Sequence, residues 1–468
     1  MRSLRSREVE IVPGNPFENC KLDRKKYAEI LTQIIENYSD GFVLSVNNKW
    51  GEGKTTFIKM WKVYLGNKGF RNVYFNAWEH DFGQDPMAAI LSEIKSLNFG
   101  NKGQLEGIIK KAGKLSIQLV PILLKAVADK YMDTKSFADG IKELGDKAIV
   151  AFQTEVDEYA KKKEGLEEFK NALAEYVSTL EKPLVFIIDE LDRCNPKYAV
   201  EVLEIIKHFF SVSGIVFVLS IDKEQLGNAI RGYYGSDLIE ADEYLRRFID
   251  VEYSIPTPQT KKFNEYLYES YKFNEFFFSV ERIKYPELKS DAEILLKIAD
   301  ILFTKTKATL RQQERIFALT RLILFSFNSN QYTFSNLLFI LVYLKTLRND
   351  YFIRISSFEL SIQELSDLFY DIIYSENSSL GSINLLYVEA LLLWFYNNDK
   401  KYEYKINLIQ KDDSDKIITP IKSKLEIKFS KSNLAQLFGH ISTQWNFERI
   451  GLSYLINKIN LTEPLSIQ

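Results

Sequence analysis

One octapeptide limits what this chain can fold into more than any other segment. Asn48-Lys-Trp-Gly-Glu-Gly-Lys-Thr55 keeps the GxxxxGK[ST] spacing at every fixed position but the first, where Asn48 stands for glycine. Such a loop needs a strand in front and a helix behind, because inward-facing N–H groups and a helix N-terminus together hold a phosphate. Gly41 to Val46 reads as a short buried strand, and Phe57, Ile58, Trp61 and Tyr64 recur at helical spacing. On this reading Asn48, Lys49, Trp50, Gly51, Glu52 and Gly53 turn backbone around the phosphates, with Gly51 and Gly53 permitting close approach. Lys54 adds a point charge at the β/γ-phosphates, Thr55 offers a hydroxyl to a metal ion, and Thr56 is counted with the nucleotide-binding residues. Asparagine tolerates a positive φ better than other non-glycine residues, so Asn48 is expected to take the conformation of the missing glycine.

Further strands are expected at Asn72 to Ala77, Leu184 to Ile188, Gly214 to Ile221 and Ile249 to Ile255. Uninterrupted apolar strands of this kind belong to a parallel sheet covered on both faces. Helices are expected at Leu22 to Tyr38, with Asp23 as N-cap, and after the Asn195-Pro196 pair. The strand at Leu184 ends in Asp189-Glu190-Leu-Asp192-Arg193, which puts a carboxylate, Asp189, at the metal beside the phosphate loop on the neighbouring strand. Glu190 is placed to deprotonate a water attacking the γ-phosphate. Asp192 and Arg193 either brace this loop as a local ion pair or act directly. Asp222 ends the next strand and either senses the γ-phosphate through water or caps the helix from Lys223. Arg246 and Arg247 precede the last strand and are counted among groups near the carboxyl ends of the sheet, where ligands bind. Arg246 reads as a solvated arginine. Arg247 is open between that and stabilising transition-state charge in cis or in a neighbouring subunit.

Composition narrows the alternatives. The chain has 468 residues with formal net charge −2, 46% apolar and 26% charged, so it folds but carries no general basic coat for nucleic acid. Short runs such as Lys161 to Lys163 read as solvated helix faces. Two cysteines and three scattered histidines give neither a disulfide framework nor a zinc site. The apolar runs Leu115 to Ala128 and Asn336 to Leu344 fall short of the ~20 residues a spanning helix needs and read as buried helices. The basic start lacks an apolar signal region, and a cytoplasmic protein is expected, peripheral to the membrane at most. After Pro256 and Pro258 the pattern turns to long helical periods rich in Phe and Tyr, whose spacing reads as core packing. A strand pair is expected near Tyr402 to Ile409 and Lys424 to Phe429.

Together Trp50 to Thr55, Phe75-Asn-Ala-Trp78, Ile187 to Cys194, Val218 to Leu226 and Tyr244 to Asp250 resemble the KAP family of P-loop NTPases. That family includes animal membrane-associated scaffold ATPases and bacterial phage-exclusion proteins, and the resemblance covers roughly residues 20 to 255. Thr309 to Arg315 looks like the Arg-bearing helix start of its helical region. The resemblance implies an α/β core of the additional-strand (ASCE) type with a five-stranded parallel sheet, a helical insertion and a mostly helical C-terminal region. The corresponding domains are 1–97 with 181–256 (core), 98–180 (insertion), 257–375 (helical) and 376–468 (mixed or helical). By the same likeness Glu190 is the base, Asp222 the strand-four Asp, and Arg247 the basic residue of its motif. ATP and Mg²⁺ are the implied ligands, with hydrolysis driving a conformational switch or motor and a role in anti-phage defence. A nucleotide-binding scaffold with little hydrolysis is the alternative. A homo-oligomer or a partner protein is expected to engage through the helical C-terminal half.

Overall fold

The computed structural model describes residues 9–96, 164–374, 385–428, 433–443 and 450–461, except residues 39, 84, 165–166, 210–211 and 237. Contacts within the chain gather into two compact units, Val9–Thr257 and a second that begins at Pro258. Most of the expected insertion, including Leu115 to Ala128, lies outside the described residues. Among the described residues, no helix is long and apolar enough to cross a membrane.

The first unit is built on strands β1 (Phe42–Asn47), β2 (Asn72–Asn76), β3 (Leu184–Asp189), β4 (Ile215–Ile221) and β5 (Val251–Tyr253), in the order β2-β3-β4-β1-β5. Every pairing is parallel. β3 and β4 are buried at every residue, which is why they read as unbroken apolar runs. Alternate side chains go to opposite faces. Leu184, Phe186 and Ile188 join a cluster with helix α5 (Pro196–Phe209), α6 (Lys223–Tyr234) and Phe169 and Leu173 of the helical stretch 167–178. Val185 and Ile187 face the other way, into a cluster with α1 (Lys25–Asn37) and α2 (Lys54–Asn67). There the fully buried Trp61 of α2 donates its indole N–H to Thr32 Oγ1 of α1 at 3.0 Å, so the largest apolar ring on that face is also polar-satisfied.

Three local expectations are corrected. β3 is not the neighbour of β1, because β4 runs between them. Asp23 does not cap α1. It sits at φ 55° with its carboxylate on Lys26 Nζ at 3.1 Å, while Arg24 holds the N-cap position and sends its side chain elsewhere. The last strand is shorter than expected, pairing only Val251 to Tyr253 with Leu44 to Val46.

The second unit is mostly helical, with long helices Thr260–Ser270, Asp291–Thr306, Leu310–Ile323, Ser335–Leu347, Ile362–Ile373 and Leu385–Asp399. Asn336 to Leu344 is a core helix, buried at every position from Ser335 to Leu344. Many aromatic residues here pack, Phe317 meeting Phe339 edge-on at 5.3 Å and Phe273 at 5.7 Å, while Phe278, Tyr402 and Tyr404 are exposed. Thr309 and Gln312 form a capping box that starts Leu310–Ile323. The expected strand pair is displaced. Lys424–Lys428 is helical, its start held by Ser423 Oγ accepting from the Leu425 and Glu426 amides. The hairpin instead joins Gln410–Lys411 to Ile417–Ile418, around Asp412 Oδ1 accepting from the Ser414 and Lys416 amides.

One buried carboxyl in this unit carries a pH prediction. Glu389 is fully buried, accepts from Ser366 and Ser423 hydroxyls, and faces the negative Glu426 and Asp367. Burial pushes its pKa up to about 7. The folded state therefore holds a proton that the unfolded chain gives up near its ordinary 4.5. This carboxyl's contribution is present below that value and is lost as pH rises towards 7, by about 3 kcal/mol at most. Glu389→Gln is expected to gain stability relative to wild type between pH 5 and pH 8, read from melting temperatures. A difference independent of pH contradicts it.

Candidate nucleotide site

The site lies where β1, β3 and β4 end and α2 begins. Gly51 and Gly53 take φ 84° and 73°, so the loop turns where only glycine does so without strain. Gly53 is the N-cap of α2, which leaves the first amides of that helix aimed into the loop. Asn48 is not in a left-handed conformation, contrary to expectation. Its carboxamide instead pairs both ways with the backbone of Ile255, Nδ2 donating to Ile255 O at 2.7 Å and Oδ1 accepting from Ile255 N at 2.8 Å. The side chain that glycine lacks ties the start of the loop to the segment after β5. Lys49, Trp50 and Thr56 are exposed, and Gly51, Glu52 and Thr55 are half-buried.

Lys54 is buried, and its ammonium donates to the carbonyl of Asn48 across the loop. Burial lowers its pKa, opposed by the carboxylates of Asp192, Asp222 and Asp189, so the cation is held by three surrounding acids. Asp189 has no solvent exposure. It accepts from Tyr74 Oη at 3.0 Å and from the Glu190 amide at 3.0 Å, with the Thr55 hydroxyl also within bonding reach. Burial raises its pKa nonetheless, the mark of a carboxylate short of positive charge. Thr55 Oγ1 donates to Glu190 Oε1 at 3.2 Å, and Arg193 pairs with the same oxygen at 2.9 Å. Glu190 itself sits at φ 62°, a conformation that costs a non-glycine residue energy and bends the chain sharply off β3.

The flanking motif residues lock to one another. Trp50 donates its indole N–H to Asp192 and its backbone N–H to Asp222 Oδ2 at 2.9 Å. Asp192 is therefore a buried partner of the loop rather than part of a solvated turn, and Arg193 pairs with Glu190, not with it. Asp222 also caps α6 through the Gln225 amide at 3.4 Å, so one side chain serves the helix and the loop together. Asn76 accepts from the Trp78 and Glu79 amides, which turns the chain at the end of β2 and leaves Trp78 half exposed beneath Arg193, 5.6 Å from its ring. Arg246 is exposed and pairs with Glu243, as expected of a surface arginine. Arg247 is exposed too, but both precede β5, and the next residues anchor at the amino end of β1 through the Val43 amide on Asp250 Oδ2. Arg246 and Arg247 lie on the short stretch that runs from Asp242, paired with Lys223 Nζ at 3.5 Å just past β4, to Asp250 at the amino end of β1.

Two participants were missed. Tyr74 lies on β2, across from the acidic strand, and period-2 alternation in Val73-Tyr-Phe75 would have separated its face from the core face. Arg24 is 29 positions from the loop it touches and carries no motif.

The oxygen set fits a hard cation. The Thr55 hydroxyl and the Asp189 carboxylate are neighbouring oxygens, the kind of ligand pair a hard cation would take from protein while phosphates and water filled the rest of its shell.

A family model described as the KAP family P-loop domain matches residues 24–349. The chain is 19% identical over 271 residues to the phage T7 exclusion protein of Escherichia coli (strain K12), an alignment covering 54% of this chain. It spans 34% of that relative's length. Among solved structures it is similar to the Aeropyrum pernix ORC2 protein in ADPNP–ADP complexes, at 14% identity and TM-score 0.36, covering 89% of this chain and 94% of that one. It is also similar to a DNA replication initiation factor, at 11% identity and TM-score 0.31, with 94% of each chain covered. At those scores the structural likenesses carry no further weight.

Proposed function

The chain belongs to the KAP family of P-loop NTPases, and from that premise we propose that it binds ATP with Mg²⁺ and hydrolyses the γ-phosphate. Nucleotide binding in general goes with the family and the fold. The finer reading rests on one observation: at one loop end Thr55 bonds Glu190 and reaches Asp189, and the Lys54 ammonium, tied to the Asn48 carbonyl, feels the charges of Asp192, Asp222 and Asp189. In this reading the loop amides and Lys54 bind the phosphates, and Thr55 and Asp189 hold Mg²⁺. Mg²⁺ held there would supply charge neutralisation for the phosphates. Glu190 orients the attacking water and takes its proton. Asp222, through the Trp50 amide, couples the end of β4 to the loop. Arg247, exposed just before β5, stabilises transition-state charge in cis or on the nucleotide of a second copy assembled through the helical C-terminal half.

A scaffold that binds nucleotide with little hydrolysis is the second reading, favoured by the engagement of Glu190 by Arg193 and Thr55. A role in defence against phage belongs to the same proposal and rests on the likeness to the phage T7 exclusion protein. Phosphate release measured with ATP separates the readings: release that stops when Mg²⁺ is chelated is expected. Tight ATP binding without any release contradicts the enzyme and leaves the scaffold.

A further inference from the structure

We propose that Arg24 is a positioning residue that holds the phosphate loop in its phosphate-binding form from behind, with no contact of its own to nucleotide. The inference rests on the nucleotide reading of the loop. Arg24 is 4% exposed, and its guanidinium donates to the carbonyl of Glu52 at 2.7 Å and to that of Gly53 at 2.8 Å. Among the described residues it has no ion-pair partner, and its Nε is buried without a hydrogen bond. A buried guanidinium without a carboxylate is costly, so its two forked bonds to the loop are the interactions that offset the burial.

Peptide planarity converts those bonds into a statement about the phosphates. In a trans peptide the C=O of one residue and the N–H of the next point in opposite directions. Holding the Glu52 and Gly53 carbonyls towards Arg24 therefore turns the Gly53 and Lys54 amides the other way, into the concavity of the loop. Gly53 is the residue where a flip would be easiest, since glycine crosses between φ signs at little steric cost. It is also the residue Arg24 covers: a Cβ built on Gly53 would meet Arg24 Nη1 at 3.0 Å. Burial lowers the Arg24 pKa, and the nearby Cys20, Glu52 and Tyr27 side chains act in the other direction. The geometry predicts an effect on the phosphates shared by ADP and ATP and none special to the γ-phosphate.

The test is equilibrium binding of ADP and of ATP, each with Mg²⁺, to full-length wild type, Arg24→Lys and Arg24→Met, with melting curves of the nucleotide-free proteins to fix the folded fraction. Arg24→Met is expected to bind both nucleotides roughly 30-fold more weakly, by the same factor, as fits losing charge-assisted bonds that preset the loop. Arg24→Lys should fall between, because one ammonium cannot reproduce the planar fork over two carbonyls. If Arg24→Met does not fold, Arg24→Lys decides the matter alone. Wild-type binding with unchanged affinity in the folded variants overturns the role of Arg24 while leaving the nucleotide site standing. A loss confined to ATP also overturns it. A wild type that binds neither nucleotide removes both readings together.

Discussion

Replacing Glu190 by alanine should leave ATP bound within a few-fold of wild-type affinity and cut phosphate release by roughly 10²- to 10⁴-fold. Its carboxylate meets Arg193 and the Thr55 hydroxyl, at the end of β3 rather than among the loop amides. Removing it takes away a proton acceptor but none of the loop amides. The left-handed backbone at Glu190 adds a control. Alanine meets the same strain there as glutamate, whereas glycine relieves it. Glu190→Gly should therefore match Glu190→Ala in activity and exceed it in melting temperature. Should wild type and Glu190→Ala release phosphate equally slowly while both bind ATP, Glu190 is no base and the scaffold reading stands.

Replacing Lys54 by methionine should weaken ATP binding by about 100-fold or more, larger than the effect of any other single loop residue. Two terms act in the same direction. A charged hydrogen bond to the phosphates is lost, and such bonds rank among the strong ones. The second term is local: Asp192, Asp222 and Asp189 all oppose the lowering of the Lys54 pKa, so without the ammonium an anionic ligand enters beside uncompensated acids. Fluorescence titration with an ATP analogue reads the change, and retention of wild-type affinity would show that phosphates bind elsewhere.

Much of this site was legible because its parts are local in sequence. The loop spacing, the strand before it, the carboxylate ending an apolar strand and the Asn195-Pro196 helix start each depend on neighbours within a few residues. What was not legible is set by pairing across the sheet. Nothing local in Leu184 to Asp189 tells that β4 intervenes before β1. Asn48 was assigned a backbone role because motif logic speaks of φ, whereas its carboxamide found a partner 207 positions away. Arg24 and Tyr74 reach the site through long side chains from other elements, which no spacing rule anticipates. In the second unit the expected strand at Lys424 failed because Ser423 offered two amides a cap, and local capping outweighed β-propensity.

Calorimetric titration of the wild-type chain with ATP, with and without Mg²⁺, tests the central claim most directly. One nucleotide per chain, bound more tightly when Mg²⁺ is present and released when Lys54 is replaced, is the predicted result. No saturable binding up to millimolar ATP, or binding indifferent to Lys54, would contradict it.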